Sequence, residues 1–197
     1  MKEDRSELLI AALLTIVAMS TRILFNKLQF FNFNAVMASA FFAGAYLSKQ
    51  KLALAIPIAA LFVTDLVLGL TIDQSGIHLS FYDWKLMLFV YGSFALILFF
   101  GQYSRERGTL LSWIMSLLAG SLSFFLITNF AAWLFAEGTT AYPHTFAGLM
   151  QSYAMGIPFY RNTLIGDLTF SAALFGAYEL AKLRVQRVQL ARVIAGS

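Results

Sequence analysis

The chain of 197 residues is 59% hydrophobic and 12% charged, and its mean hydropathy is positive, which excludes an ordinary soluble globular domain. With no cysteine and two histidines, it has no disulfide framework, no thiolate chemistry and no self-sufficient zinc site, and no cofactor is expected. The net charge of +4 is divided among short gaps between apolar runs, so lipid headgroups are the expected neighbours and nucleic acid is not.

A bilayer core about 30 Å thick needs roughly 20 apolar residues at 1.5 Å each. Six runs qualify, at residues 8–24, 33–47, 52–70, 84–103, 110–136 and 162–183. The expected fold class is therefore an all-α membrane protein of about six transmembrane helices, built as a single domain over residues 1–197. In the first run Lys2 and Arg5 precede apolar residues, and Ala18-Met19-Ser20 resembles a signal-peptide cleavage site. Glu3, Asp4 and Glu7 argue for a retained helix instead. The following segment from Phe25 to Asn34, FNKLQFFNFN, reads either as a lid over a pocket or as an interfacial hairpin turn.

The third run is interrupted only by Asp65, the fifth has no charged side chain, and the sixth carries Asp167, Glu179 and Lys182. Small residues spaced at four, such as Ala40 and Gly44 or Ser112, Ser116 and Gly120, allow close approach of helices within the chain. The basic tail from Lys182 to Arg192 is expected to continue the last helix along the membrane surface.

Lys2, Arg5, Lys49, Lys51, Arg105, Arg107, Lys182, Arg184, Arg187 and Arg192 fall at one end of the expected spans. Arg22, Lys27, Lys85 and Arg161 fall at the other. The basic-rich side is expected to be cytoplasmic, with both termini there, in the inner (cytoplasmic) membrane.

Charged groups inside a membrane are costly and call for partners. Arg22, Asp65 and Asp167 are expected at similar depth in the outer half, either as a structural ion-pair network tying helices one, three and six or as part of a ligand site. The segment from Glu137 to Arg161 is too apolar for a solvated loop. Its Tyr142-Pro143 and Ile157-Pro158 steps disfavour helix, so it is expected as a partly buried outer loop between helices five and six that dips back into the protein. It and its flanks offer Asn129, Tyr142, His144, Gln151, Arg161 and Asn162 beside aromatic rings, the make-up of a small-molecule pocket. An interfacial aromatic belt accounts for the rings but not the amides. His78 and His144 read as surface or hydrogen-bonding residues, not metal ligands.

Enzyme readings fare worse. Two intramembrane aspartates in FVTDL and LIGDL suggest an aspartyl protease, but the Tyr-Asp pair and the Gly-x-Gly-Asp turn of those enzymes are missing: Thr64 precedes Asp65, and Leu164 stands in place of the first glycine. No Gly-x-Ser-Gly motif or nucleotide-binding glycine loop occurs. No enzymatic activity is expected.

At NFAAWLF, YPHTFAGLMQSYAMGIPFYRNTLIGDL and LFGAYEL, and again from Asn32 to Gly44 and at IPIAALFVTDLVLG, the chain resembles an uncharacterised family of bacterial membrane proteins. That family in turn looks like the substrate-binding S components of energy-coupling-factor (ECF) vitamin transporters, about 200 residues and six helices with both ends inside. The resemblance implies binding and uptake of a vitamin or similar small molecule from outside through the outer loops, in some cases with an ATP-driven ECF-type module as partner. S components that share such a module usually have an Ala-x-x-x-Ala spacing in the first helix, whereas here Thr15 and Ile16 follow four residues after Ala11 and Ala12. The alternative reading is a structural or assembly subunit without a ligand.

Overall fold

Long apolar runs make helices because the backbone must satisfy its own hydrogen bonds wherever water is excluded. The computed structural model describes residues 2–71, 84–135 and 142–195. His78 and residues 136–141 lie outside the described residues. Six helices follow in order: α1 (Lys2–Lys27), α2 (Val36–Tyr46), α3 (Gln50–Thr71), α4 (Trp84–Arg107), α5 (Leu110–Leu134) and α6 (Phe146–Ala195). All except α2 are long and apolar enough to cross a membrane, the pattern of a multi-pass membrane protein.

The expected second span is the exception in kind. With 11 residues, α2 is only about 16 Å long. It is buried from Val36 to Ala45, and α1, α3, α4 and α6 all pack against it. It runs antiparallel to α1. The Ala35 amide donates to Thr21 Oγ1 at 3.0 Å, the Ser39 hydroxyl to the Leu14 carbonyl at 3.4 Å, and the Ser48 hydroxyl to Glu7 Oε1 at 2.6 Å. Fourteen residues of α1 separate Thr21 from Glu7, about 21 Å of helix. The connection therefore crosses most of the bundle with non-helical residues at each end, which is tolerated because neighbouring helices enclose it.

Both ends of α2 are capped. The Val36 amide donates to Asn34 Oδ1 at 3.0 Å, while Arg105 Nη1 donates to the Ala45 carbonyl at 3.1 Å. Rings from three helices close around its lower half: Phe42 and Phe175 lie 5.0 Å apart, Tyr46 and Tyr178 4.2 Å, and Trp113 and Phe175 4.6 Å. Tyr46 also donates to Glu179 Oε1 at 3.4 Å. The start of α1, the end of α2, the end of α4 and the Tyr178–Glu179 turn of α6 thus share one end of the bundle.

The segment between helices five and six departs from expectation. α6 begins at Phe146 and runs 50 residues, about 75 Å, through Pro158 to Ala195. There is no re-entrant loop over 146–161. Proline costs a helix one hydrogen bond, a loss that membrane helices absorb, and here the packing of α6 on α5 holds the turn. Pro143 stays outside the helix, its carbonyl accepting from the Thr145 amide at 2.7 Å and from Trp133 Nε1 at 3.0 Å. The basic tail does continue the last helix, with exposed side chains from Glu179 to Ala191.

The closest helix approach is between α2 and α4. A Cβ on Gly44 would strike the Leu98 backbone, and one on Gly101 would strike the Phe41 carbonyl, whereas one on Gly92 would meet nothing within 4 Å. Gly44→Ala and Gly101→Ala are expected to destabilise the protein by about 1–3 kcal/mol each, with Gly92→Ala neutral or slightly stabilising. Thermal unfolding of the three variants in detergent checks this.

Candidate functional site

The polar residues of the spans settle at two separate helix interfaces. The first joins α1 and α3. Arg22 forms an ion pair with Asp65 and donates to Thr64 Oγ1, with a further bond to the Leu61 carbonyl at 3.3 Å. Thr64 is fully buried and itself donates to the Ala60 carbonyl at 2.6 Å. The side chains of the pair are 21% and 18% exposed. This arrangement answers which carboxylate meets Arg22: Asp65, on α3, and not Asp167 on α6. The pair belongs to α1 and α3 alone, so helices one, three and six are not tied by one network. The two aspartates, lying on different interfaces, make no carboxylate dyad.

The second interface runs between α5 and α6, which pass each other in opposite directions. Along α6, Ser152, Gly156, Tyr160, Thr163, Asp167 and Ser171 recur every three or four residues and so share one face. Ser121, Phe125, Thr128 and Asn129 face them from α5. The Ser152 hydroxyl donates to the Asn129 carbonyl at 2.8 Å, and Phe125 lies 4.7 Å from the Tyr160 ring. Between the helices is a cavity of about 180 Å³ lined by Asn32, Phe124, Phe125, Thr128, Asn129, Gly156, Phe159, Tyr160 and Thr163.

Two features shape its outer part. A Cβ on Gly156 would collide with the Asn129 side-chain amide, so glycine there is what lets the amide occupy this position, where its Nδ2 donates to the Phe125 carbonyl at 2.8 Å. The loop after α1 then folds over the cavity. α1 ends with Gln29 in the left-handed region at φ 61°, the Phe30 amide donating to the Phe25 carbonyl at 2.8 Å and the Gln29 amide to the Asn26 carbonyl at 3.0 Å. This pair of hydrogen bonds closes helix ends and turns the chain towards α6. Asn162 Nδ2 donates to the Phe31 carbonyl at 3.1 Å, and Phe33 packs 5.3 Å from Phe170. Asn32, between those anchors, reaches the cavity.

One turn beyond Thr163, Asp167 is 2% exposed. Its Oδ2 has no hydrogen-bond partner among the described residues, and neither do the buried hydroxyls of Ser121 and Ser171. Asp167 lies one turn along α6 from the cavity and is not among its lining residues.

Of the residues singled out from sequence, Asn129 lines the cavity, Asn162 holds its covering loop, and Asp167 lies next to it. Tyr142 and His144 sit in the turn before α6, the His144 ring 5.5 Å from Trp133. Gln151 and Arg161 are exposed on other faces of α6. Asn32, Thr128, Gly156 and Thr163 went unrecognised. The signal for Gly156 and Thr163 is the three-to-four spacing along α6, which becomes visible only once residues 146–161 are read as helix; Asn32, in the loop after α1, and Thr128, on α5, had none. No cluster of three histidine, cysteine or acidic residues fit for a metal occurs among the described residues.

Removing one partner of a shielded ion pair leaves a lone charge, at a cost of about 3–5 kcal/mol when fully buried. Arg22→Ala is therefore expected to lower stability by about 3 kcal/mol, and Arg22→Ala with Asp65→Ala to be less destabilised than the sum of the two single changes. Thermal melts read as a double-mutant cycle test this.

No curated protein and no solved structure matches the chain. A family model matches residues 2–190, and the chain belongs to that family, a family of unknown function (DUF6580).

Proposed function

We propose that this protein binds a small polar molecule in the cavity between α5 and α6, taking it up from the side covered by the loop after α1, with no covalent chemistry. The observation that carries the reading is the cavity itself: an amide, two threonine hydroxyls and aromatic rings converge between two otherwise apolar helices, and Gly156 leaves room for the Asn129 amide. Membrane interiors do not hold such groups without cause. At about 180 Å³ the cavity is smaller than the roughly 300–1,000 Å³ that drug-sized ligands occupy. It suits a compact solute as it stands, and a vitamin or cofactor precursor with the loop displaced.

The S-component-like form of this reading, with an ATP-driven module as partner, is supported by chain length, the number of helices, and termini that share one end of the bundle away from the cavity. The distribution of Lys and Arg supports a cytoplasmic location for that end, in a cell inner membrane. Because the chain has no cysteine, single cysteines report the topology directly. In intact cells stripped of any outer barrier, an impermeant thiol reagent is expected to label Lys27→Cys and not Lys182→Cys.

A second reading, a scaffold or assembly subunit, is favoured by one observation. Every described side chain from Glu179 to Ala191 is exposed, leaving the end of α6 available to another subunit.

Native mass spectrometry of the protein released gently from its own membranes separates the two readings. A reproducible small-molecule adduct is expected, and Gly156→Ala, which forces the Asn129 amide aside, is expected to lose it with little change in melting temperature. A bare protein with no adduct from wild type, co-purifying only with other membrane subunits, would sink the binding reading.

A further inference from the structure

Most hydroxyls on the helices of this protein have an acceptor, the Tyr91 hydroxyl apart. Those of Thr15, Thr21, Thr64, Ser104, Thr128 and Thr163 donate to carbonyls four residues back at 2.6–3.0 Å, the usual way to satisfy such a group in an apolar helix. Ser121 and Ser171 do not, although both are buried, and Asp167 between them leaves Oδ2 unpartnered. The Ser121 hydroxyl lies beside the Asp167 carboxyl, yet no hydrogen bond of ordinary geometry closes between Ser121 Oγ and another group. Ser121 thus faces Asp167 across the α5–α6 seam, and Ser171 follows Asp167 one turn along the same face of α6. An ionised carboxylate buried without a counter-charge costs several kcal/mol even after relaxation, and Arg22 is engaged by Asp65 at the other interface.

We infer that Asp167, Ser121 and Ser171 form a binding site for one sodium ion in the α5–α6 seam, next to the cavity. Hard cations take oxygen ligands. A single carboxylate with neutral hydroxyls balances one positive charge, and among the described residues no group of three histidine, cysteine or acidic side chains is placed to hold a divalent metal. The packing is tight: a Cβ on Gly166, next to Asp167, would sit 3.2 Å from the Asn34 amide nitrogen. Between two packed helices, the smaller of the common alkali ions needs the less room. The bound ion replaces the missing partners of all three oxygens at once. Its use as the driving ion for uptake rests on the function proposed above, but its binding does not.

The test is thermal unfolding of the full chain in detergent, without added solute, in sodium chloride against potassium chloride and choline chloride at equal ionic strength and pH. Sodium is expected to raise the midpoint saturably. Asp167→Asn is expected to lose the response, and Ser121→Ala to need about tenfold more sodium for half the shift, as the loss of one polar partner predicts. Equal midpoints in sodium and choline overturn the site, and so does a midpoint that rises only as the pH falls, which identifies a protonated carboxyl. Potassium matching sodium overturns the choice of ion. If Asp167→Asn does not fold, the salt series on the wild type and Ser121→Ala decides alone. A negative result leaves solute binding in the cavity, read separately by adduct mass, untouched.

Discussion

The structure depends on the enclosure of α2. An 11-residue helix cannot span a hydrocarbon core, and its non-helical flanks expose amides and carbonyls that lipid cannot satisfy. The segment persists because protein surrounds it, and that requirement arranges the rest. α1 must run beside it closely enough for Thr21, Leu14 and Glu7 to reach its backbone and hydroxyls. α4 must come within backbone contact at Gly44 and Gly101. α6 must cover it with Phe175 and Tyr178. Lipid tails are as apolar as these side chains, so burial supplies little drive for association within the membrane. Close packing and satisfied caps carry the fold instead.

Polar groups in such a bundle are of two kinds, distinguished by whether the protein completes their bonding. Arg22 and Asp65 neutralise each other, and Thr64 and the Leu61 carbonyl take up both Nη1 donors of the guanidinium. The pair ties α1 to α3 and is best understood as part of the frame. The α5–α6 seam is different. It has an amide held against a glycine, a cavity bordered by hydroxyls, and next to the cavity three oxygens without partners. Leaving such groups unsatisfied costs about 1–3 kcal/mol each, which a fold with a purely architectural seam would avoid by using alanine or leucine there.

Much of the architecture could be read from composition and run length because lipid imposes one rule on every spanning segment. The runs at residues 52–70, 84–103 and 110–136 correspond to α3, α4 and α5 for that reason. Two errors share a cause. Pro143 and Pro158 were both read as breaks, but only Pro143 lies outside a helix. Pro158 is carried by the packing of Ser152, Gly156 and Tyr160 on α5, a tertiary effect that no local preference reports. Likewise the short extent of α2 follows from its enclosure and not from its own residues. The separation of Arg22–Asp65 from Asp167 was illegible for another reason: in helices apolar all round, sequence periodicity does not reveal which face a lone charge takes. Once α6 is known to begin at Phe146, the polar stripe from Ser152 to Ser171 is legible at once.

Access to the cavity and the burial of Asp167 are linked through one short stretch of chain. Residues 31–34 carry the Phe31 carbonyl bonded to Asn162, the Asn32 side chain at the cavity, the Phe33 ring against Phe170, and the Asn34 backbone lying against Gly166 beside Asp167. Asn34 also caps α2 through the Val36 amide. Displacing this loop to admit a solute therefore breaks its tie to α6, uncovers the side of α6 next to the buried carboxylate, and loosens the first turn of the central helix in the same movement. Each of those contacts is worth on the order of 1 kcal/mol, so the closed loop is stable but not locked. One short stretch thereby connects the cavity at Asn32, the packing of α6 beside Asp167 and the first turn of α2.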